Sequence, residues 1–198
     1  MDNFLETKNG KLVLDKKIGS GCVRDCYSIK NKEELCVKIS KTNLSFLRKL
    51  QSMLFRNQIN IEEYKIYTNL PNEIKMYFNP VLEAEKKYVL TNIPQNYDGS
   101  YSKSVKDSWP LSNEKFWKEV EKIYYYLDKY KIWFLDVFNG NNMFVKKQSE
   151  TDWIPIIIDY KRIGWKSFPG QIHLLLKSER EKKFKRRYER FVNKYKIK

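Results

Sequence analysis

The most informative segment of the sequence is Trp133–Gly164, which reads WFLDVFNGNNMFVKKQSETDWIPIIIDYKRIG. Two apolar runs, Met143–Val145 and Ile154–Ile158, flank the polar segment KKQSETD, and this pattern predicts a β-hairpin. A hairpin brings the open ends of its two strands together. Asn141 precedes the first strand and Asp159 follows the second, so we expect their side-chain oxygens to converge on a hard cation such as Mg²⁺. The alternative is an ordinary hairpin, because turns favour Asn and Asp in any case.

The bulk composition favours a packed protein over a disordered one. The chain has 198 residues, of which 41% are hydrophobic and 15% aromatic, enough for one two-lobed domain or two small ones. The chain has three cysteines, Cys22, Cys26 and Cys36, and no CxxC pair. Because an odd number of cysteines cannot all pair within one chain, we expect a reducing compartment, and we expect no zinc site. Because the sequence has neither a signal-peptide core nor an apolar run of about 18 residues, we expect a cytoplasmic protein, or one peripheral to the inner membrane.

The net charge of +15 favours anionic partners, although scattered lysines alone indicate only a solvated surface. Lys177–Lys198 concentrates this charge, with 11 Lys and Arg against 3 Asp and Glu. Aromatic residues recur in it at helical spacing, namely Phe184, Tyr188, Phe191 and Tyr195. Three interpretations of this basic amphipathic helix stay open. It packs its aromatic stripe on the second lobe, which we favour, lies on an anionic membrane surface, or binds nucleic acid phosphates, which we rank last.

The first 40 residues predict three strands, at Leu12–Ile18, Val23–Ile29 and Leu35–Ile39. Gly19 and Gly21 lie between the first two strands, where glycine permits a tight turn and the close approach of a ligand. A lone pair of glycines is often only a hairpin turn. Lys38 is flanked by Val37 and Ile39 in the third strand, and a lysine among apolar residues needs an anionic partner or must point into a cleft.

Leu44–Leu70 predicts two helices with a break near Asn57–Asn60. Glu63 lies beside the apolar stripe of the second helix, where we expect it to reach Lys38. The alternative is that Glu63 is a first-turn acid favoured by the helix dipole. Two more strands, Pro80–Ala84 and Tyr88–Ile93, precede a polar linker, and we place the lobe boundary near residue 97.

A further helix follows the linker and is capped by Ser112 or Asn113. Its apolar residues recur on one face, at Phe116, Val120, Ile123, Leu127 and Tyr130, and we expect them to be core. His173 is the sole histidine and lies among apolar residues, so we expect a structural role for it.

Taken in order, the motifs IGSGCVRDCY, CVKI, EEYKIY, LDVFNGNN and IIIDYKRIG resemble those of the protein-kinase-like superfamily. The pattern looks most similar to the YrbL family of bacterial kinase-like proteins, the PhoP regulatory network proteins, over nearly the whole chain. The resemblance implies an α+β, protein-kinase-like two-lobe fold forming a single domain. Residues 1–97 are the small β-rich N-terminal lobe, and residues 98–198 are a reduced helical C-terminal lobe with the basic helix at its end.

The resemblance also implies an ATP/Mg²⁺-dependent phosphotransferase. Its pattern implies that Gly19 and Gly21 cover the ATP phosphates. It implies that Lys38 holds the α- and β-phosphates and is oriented by Glu63.

The remaining roles implied by the resemblance fall on the hairpin stretch. Asp136 precedes Asn141 by five residues, which is the spacing of a kinase catalytic loop, and is the implied base. Asn141 and Asp159 are the implied Mg²⁺ ligands. The phosphate acceptor stays open and is a small molecule, a sugar, a lipid headgroup or a protein hydroxyl.

The chain departs from the kinase pattern at several positions. Arg24 replaces the third glycine, Phe134 and Leu135 replace the His-Arg pair, Phe138 replaces a lysine, and Tyr160 and Lys161 replace Phe-Gly. The 34 residues after Gly164 are too few for an activation segment plus a peptide-binding platform, so we do not expect a conventional Ser/Thr protein kinase. Two alternatives remain: a catalytically weak pseudokinase regulator that binds nucleotide or a partner, and a basic module docking on anionic membrane or nucleic acid.

Overall fold

The structure, a computed structural model, describes residues 4–21, 23–42, 59–133, 135–160 and 176–197. The chain divides into two compact units. The first unit comprises residues 1–68 and 80–93, and the second comprises residues 69–79 and 94–198. Several predicted features lie outside the described residues, namely the first helix of Leu44–Leu70, Cys22, Phe134, Lys161 and His173.

The first unit contains an antiparallel sheet with the strand order β1-β2-β3-β4-β6-β5. Its strands are β1 (Phe4–Thr7), β2 (Gly10–Ser20), β3 (Arg24–Ile29), β4 (Lys32–Ser40), β5 (Val81–Ala84) and β6 (Tyr88–Asn92). Ile29, Val37 and Tyr88 are the buried centre of one face, and apolar residues of β1 to β4 and β6 pack around them. The five strands predicted for this part of the chain are confirmed, whereas β1 was not predicted.

Helix α1 (Ile59–Thr68) belongs to the same unit and packs against β5 and β6. The second predicted helix is therefore confirmed, but it ends earlier than predicted. The predicted break near Asn57–Asn60 falls partly outside the described residues, and within it Ile59 and Asn60 are helical. Leu70 lies beyond the helix end, because Thr68 turns its hydroxyl back to the Tyr64 and Lys65 carbonyls and Pro71 follows shortly after.

The second unit combines helices with a small antiparallel sheet of the order β7-β8-β9. Its elements are α2 (Asn72–Lys75), β7 (Lys103–Ser104), α3 (Glu114–Lys129), β8 (Met143–Lys147), β9 (Trp153–Ile157) and α4 (Lys177–Tyr195). β8 and β9 form the predicted hairpin, paired from Met143 and Ile157 to Lys147 and Trp153. Elements α2 and β7 were not predicted, because each is too short to show a periodicity.

Helix α3 confirms the helix predicted after the linker. Asn113 is its N-cap, and the side-chain oxygen of Asn113 accepts a hydrogen bond of 2.8 Å from the Phe116 backbone N–H. The apolar face of α3 is buried, as expected, at Phe116, Val120, Ile123 and Leu127. Tyr130 was wrongly expected in the core: it follows the last helical residue, Lys129, and is 36% exposed.

Helix α4 packs its aromatic stripe on the second unit, and the favoured interpretation of the basic helix is confirmed in this respect. Phe184 and Phe191 are 1% and 3% exposed. Tyr124 of α3 stacks on Phe184 and Tyr188, with ring centroids 5.4 and 4.1 Å apart. In the part of the chain that the structure describes, no helix is both long and apolar enough to cross a bilayer.

Shortening Phe191 to alanine should destabilise the second unit by about 3–5 kcal/mol, because the ring is buried against Trp117 and Phe138. Urea unfolding followed by tryptophan fluorescence measures this loss, since all five tryptophans belong to the second unit. Arg190→Ala, one residue away and exposed, is the control and should change the free energy of unfolding by about 0.5 kcal/mol or less. Equal losses in the two variants would contradict the packing described.

Candidate functional site

A buried cluster of two cations on one carboxylate lies in the first unit. Lys38 of β4 places its Nζ 2.7 Å from Glu63 Oε1 of α1, as the sequence predicted. Arg24 of β3 places its Nη1 2.5 Å from the other carboxylate oxygen, Glu63 Oε2. The side chains of Arg24, Lys38 and Glu63 are 6%, 11% and 3% exposed. Two cations therefore share one carboxylate in a poorly solvated place.

Asn60 fixes the helix that carries Glu63. Its side-chain oxygen accepts a hydrogen bond from Arg24 Nη1, and its amide nitrogen donates to Ser40 Oγ and to the Lys86 carbonyl, each at 2.9 Å. These bonds tie α1 to β3, β4 and the β5–β6 turn. Neither Arg24 nor Asn60 was predicted as a partner of this cluster. The motif comparison identified Arg24 only as the residue that replaces the third glycine.

The glycine turn between β2 and β3 is built without a left-handed glycine. Gly19 pairs with Cys26 in the ladder, and the Gly21 N–H donates to the Arg24 carbonyl at 2.8 Å. Neither glycine has a φ in the left-handed range. A Cβ at Gly19 would meet only Cys26, at an ordinary 3.6 Å. The backbone conformation therefore does not demand glycine at these two positions.

Charged side chains brace this turn from outside. Lys41 Nζ donates to the Gly21 carbonyl at 2.8 Å and to Ser20 Oγ at 2.9 Å. Asp25 accepts a hydrogen bond from Ser20 and forms ion pairs with Lys17 and Lys41. The hydrogen bonds from Lys17 and Ser20 lower the pKa of the Asp25 carboxyl to about 2. Asp25 therefore stays ionised, and keeps its ion pairs with Lys17 and Lys41, at pH values above about 2.

Cys26 lies beside the cluster, since it is the cross-strand partner of Lys38. A hydrogen bond with the Cys36 thiol lowers the pKa of Cys26. Burial raises this pKa, whereas the positive charges of Lys38 and Arg24 lower it further. The same hydrogen bond and burial raise the pKa of the Cys36 thiol.

In the second unit, the loop from Asp136 to Asn141 is organised by Asn139. The side-chain oxygen of Asn139 accepts a hydrogen bond of 3.1 Å from the Asn141 N–H. Its carbonyl accepts bonds from the N–H groups of Asn142 and Met143, at 2.9 and 3.0 Å. The loop therefore folds on itself immediately before β8. Sequence reasoning did not single out Asn139, although Asn is a usual residue in such a position.

Helix α4 contacts this loop at three points. Arg187 Nη1 forms an ion pair with Asp136 Oδ1. Phe138 is buried against the aromatic stripe of α4. A Cβ added at Gly140 would lie 2.8 Å or less from three atoms of the Tyr195 side chain. The predicted base thus has a cationic partner, Arg187, which was not predicted from the sequence.

Asp159 directly follows the hairpin. The Ile158 N–H donates to the Asn142 carbonyl at 2.8 Å, so positions 141 and 159 each lie one residue beyond a hydrogen-bonded pair. Asp159 has a φ of 50°, a left-handed conformation that Asp tolerates better than most residues. Tyr160 anchors the segment, because its buried hydroxyl donates to the Asn79 carbonyl at 2.9 Å.

Asn141 and Asp159 fit a Mg²⁺ ion in donor type, since an amide oxygen and a carboxylate are hard oxygen ligands. The described residues contain no group of three or more His, Cys, Asp or Glu arranged for a metal ion. Mg²⁺ does not require such a group, because it usually keeps several waters and shares its shell with substrate phosphates. The convergence of Asn141 and Asp159 on one cation stays a prediction, as do the roles assigned to Asp136, Lys38 and the two glycines.

Solved structures with a similar fold are kinases. The chain is similar to the Rio2 kinase from Chaetomium thermophilum, with a TM-score of 0.55 and 14% identity over 89% of this chain and 56% of that one. It is also similar to the same kinase in a complex described as ADP/Mg²⁺-phosphoaspartate, with a TM-score of 0.51 and 14% identity over 93% of this chain and 57% of that one. The chain thus spans little more than half the length of these structures.

The chain matches no protein-family model and no curated protein. The structural similarity nevertheless shows a protein-kinase-like α+β fold resembling that of Rio2, which confirms the predicted fold class. At 14% identity the similarity establishes the fold alone.

Replacing Glu63 by glutamine should destabilise the first unit by about 3–5 kcal/mol, because Lys38 and Arg24 would keep their charges without a buried anion. Urea unfolding followed by far-UV circular dichroism measures the loss. Glu62→Gln makes the same change at the neighbouring, partly exposed position and should cost about 1 kcal/mol or less. Similar losses for the two variants would refute the buried cluster.

Gly140→Ala should destabilise the second unit by about 1–3 kcal/mol, because the new methyl group collides with the Tyr195 ring. Tyr195→Ala removes the obstacle, so the double variant should lose less stability than the two single losses added together. Tryptophan fluorescence during urea unfolding measures all three values. If the losses in stability of the two single variants simply add in the double variant, Tyr195 does not limit the space for a side chain at position 140.

Proposed function

We propose that the protein is an ATP- and Mg²⁺-dependent phosphotransferase that transfers the γ-phosphoryl group to an acceptor hydroxyl. The observation that carries this proposal is the buried ion pair between Lys38 and Glu63, with the Lys38 Nζ 2.7 Å from Glu63 Oε1. A buried lysine amine that is held by a carboxylate is oriented to bind an anion such as a nucleotide phosphate. The kinase-like fold makes ATP the natural candidate.

The first unit holds the phosphates in this proposal. Lys38 binds the α- and β-phosphates, and its ion pair with Glu63 orients the lysine side chain. Gly19 and Gly21 cover the phosphates, and their lack of side chains lets the backbone approach them closely. This explanation is supported by the finding that neither glycine is required by its own φ.

The second unit supplies the groups for transfer. The acceptor hydroxyl oxygen forms a bond to the γ-phosphorus while the bond from that phosphorus to the β–γ bridging oxygen breaks, and ADP leaves with the electron pair. Asp136 takes the hydroxyl proton. Asn141 and Asp159 hold Mg²⁺, which neutralises charge on the phosphates when it is bound.

Membership of the YrbL family rests on the sequence motifs alone, and we propose it on that basis. The acceptor is a molecule that carries a hydroxyl group. A module that docks on anionic membrane or nucleic acid through Lys177–Lys198 has less support, because α4 uses its aromatic face to pack on its own unit.

One observation favours a second candidate, a catalytically weak kinase-like regulator that binds nucleotide. The ion pair between Arg187 and Asp136 engages the carboxylate oxygen Oδ1, so this oxygen does not accept the acceptor's proton while the pair is formed. The variant Asp136→Asn distinguishes the two candidates. It should abolish phosphoryl transfer if the protein is a phosphotransferase. It should leave the cellular role intact if the protein is a regulator.

Calorimetric titration with ATP in the presence of Mg²⁺ tests the proposed function. The wild-type protein should bind ATP, and Lys38→Ala should weaken binding about 10- to 100-fold because it removes a charged hydrogen bond to the phosphates. Lys32→Ala is the matched control, since Lys32 lies on the same strand and is exposed. It should leave the affinity for ATP within about twofold.

Asp159→Asn is the second test and keeps a side chain that tolerates the left-handed φ. It should weaken binding of Mg²⁺·ATP while ATP without metal binds as before. Circular dichroism establishes that each variant is folded. Absence of ATP binding by the wild type, or equal effects of Lys38→Ala and Lys32→Ala, would overturn the proposal.

A further inference from the structure

Arg24 contacts helix α1 through two buried side chains. Its Nη1 donates to Asn60 Oδ1 at 3.2 Å and to Glu63 Oε2 at 2.5 Å. Asn60 and Glu63 are three residues apart, so they lie on the same face of α1. Hydrogen bonds between two charged groups are among the stronger ones in proteins. Arg24 therefore holds one oxygen of the Glu63 carboxylate independently of Lys38.

Lys38 holds the other oxygen of the same carboxylate but keeps donors of its own. Its Nζ donates to Glu63 Oε1 at 2.7 Å, and over the described ranges of the chain this is the only hydrogen bond of that nitrogen. An ammonium group has three N–H donors, so two are left. The Lys38 side chain is also the most exposed of the three, at 11% against 6% for Arg24 and 3% for Glu63. Among these side chains, Lys38 is therefore the most accessible to a ligand.

The charge of Glu63 opposes the binding of a phosphate group unless a cation compensates it. A carboxylate with Lys38 as its sole cation would hold that lysine and would repel a phosphate placed beside it. Because Arg24 pairs with the same carboxylate, Glu63 keeps a cation when Lys38 turns its remaining donors to a ligand. These interactions are screened little, because the three side chains are almost fully buried.

We propose that Arg24 is a positioning residue for phosphate binding, which neutralises Glu63 and thereby leaves Lys38 available to the anion. This inference rests on the proposed function, because it concerns the phosphate site of that function. It assigns a role to the arginine that stands where the kinase pattern has its third glycine. Arg24 acts on the phosphate through Glu63 and not by direct contact.

Calorimetric titration of the full chain with sodium tripolyphosphate, at constant ionic strength and without nucleotide or Mg²⁺, tests the inference. The wild-type protein should bind this anion, and Arg24→Gln should weaken binding about tenfold, the value of one charged hydrogen bond. Arg24→Lys keeps a cation beside Glu63 and should stay within about threefold of the wild type. Lys30→Gln is the control, because it removes a charge from an exposed position next to β3, and it should stay within about twofold.

A double variant, Arg24→Gln with Glu63→Gln, separates this role from a purely structural one. It removes the carboxylate that captures Lys38 together with the cation that neutralised it, so the affinity should return to within about threefold of the wild type. If Arg24 only supports the fold, or touches the phosphate itself, the double variant should bind no better than Arg24→Gln. Circular dichroism establishes which variants are folded, and the folded double variant decides the question even if Arg24→Gln does not fold.

Three results would overturn the inference: no saturable binding of tripolyphosphate to the folded wild type, an equal loss in Lys30→Gln, or no recovery of affinity in the double variant. Because nucleotide and Mg²⁺ are absent from this titration, its failure is distinguishable from failure of the proposed function. The expected pattern with tripolyphosphate, together with no binding of Mg²⁺·ATP, would contradict the phosphotransferase alone.

Discussion

The backbone hydrogen bond from Ile158 to Asn142 is the constraint on which the proposed chemistry of the second unit depends. It closes the β8–β9 hairpin at the end next to Asn141 and Asp159, so the positions of the two predicted metal ligands follow from the ladder. Hydrophobic packing fixes the register of this hairpin, because Met143 and Ile157 face the core as a pair. A slip of one residue would expose this apolar set and separate the two oxygen ligands.

The two units pair an acidic side chain with its cationic partner in different surroundings. In the first, Glu63 is almost fully buried and balances two cations, and Asn60 supports the arrangement with hydrogen bonds to three strands or turns. In the second, the acid is the predicted base, and a helix held by aromatic packing brings the cation to it. The first arrangement is almost fully shielded from solvent, whereas the second stays partly exposed.

The sequence predicted the features that have a local pattern. Short apolar runs on either side of a polar turn indicated the hairpin, and the strands β2 to β6 of the first sheet were also predicted. Helical spacing after a capping Ser112 or Asn113 indicated α3. It also placed Glu63 within reach of Lys38. It did not predict the contacts of Arg24 with Glu63 or of Arg187 with Asp136, which join residues 39 and 51 positions apart. Such pairs leave no periodic signal, and their partners are chosen by packing of distant elements. Arg187 in particular resembles any other solvated lysine or arginine of the basic helix in the sequence.

In the proposed function, Asn141 and Asp159 hold a divalent cation together with ATP. Mn²⁺ replaces Mg²⁺ at oxygen-ligand sites and broadens the NMR signals of nearby nuclei. With ATP present, a stoichiometric amount of Mn²⁺ should broaden the Asn141 side-chain amide and the backbone amides of Asp159 and Tyr160 before other signals, and Asp159→Asn should abolish this pattern. Sharp signals at Asn141 and Asp159, with broadening at other acidic residues, would contradict the account.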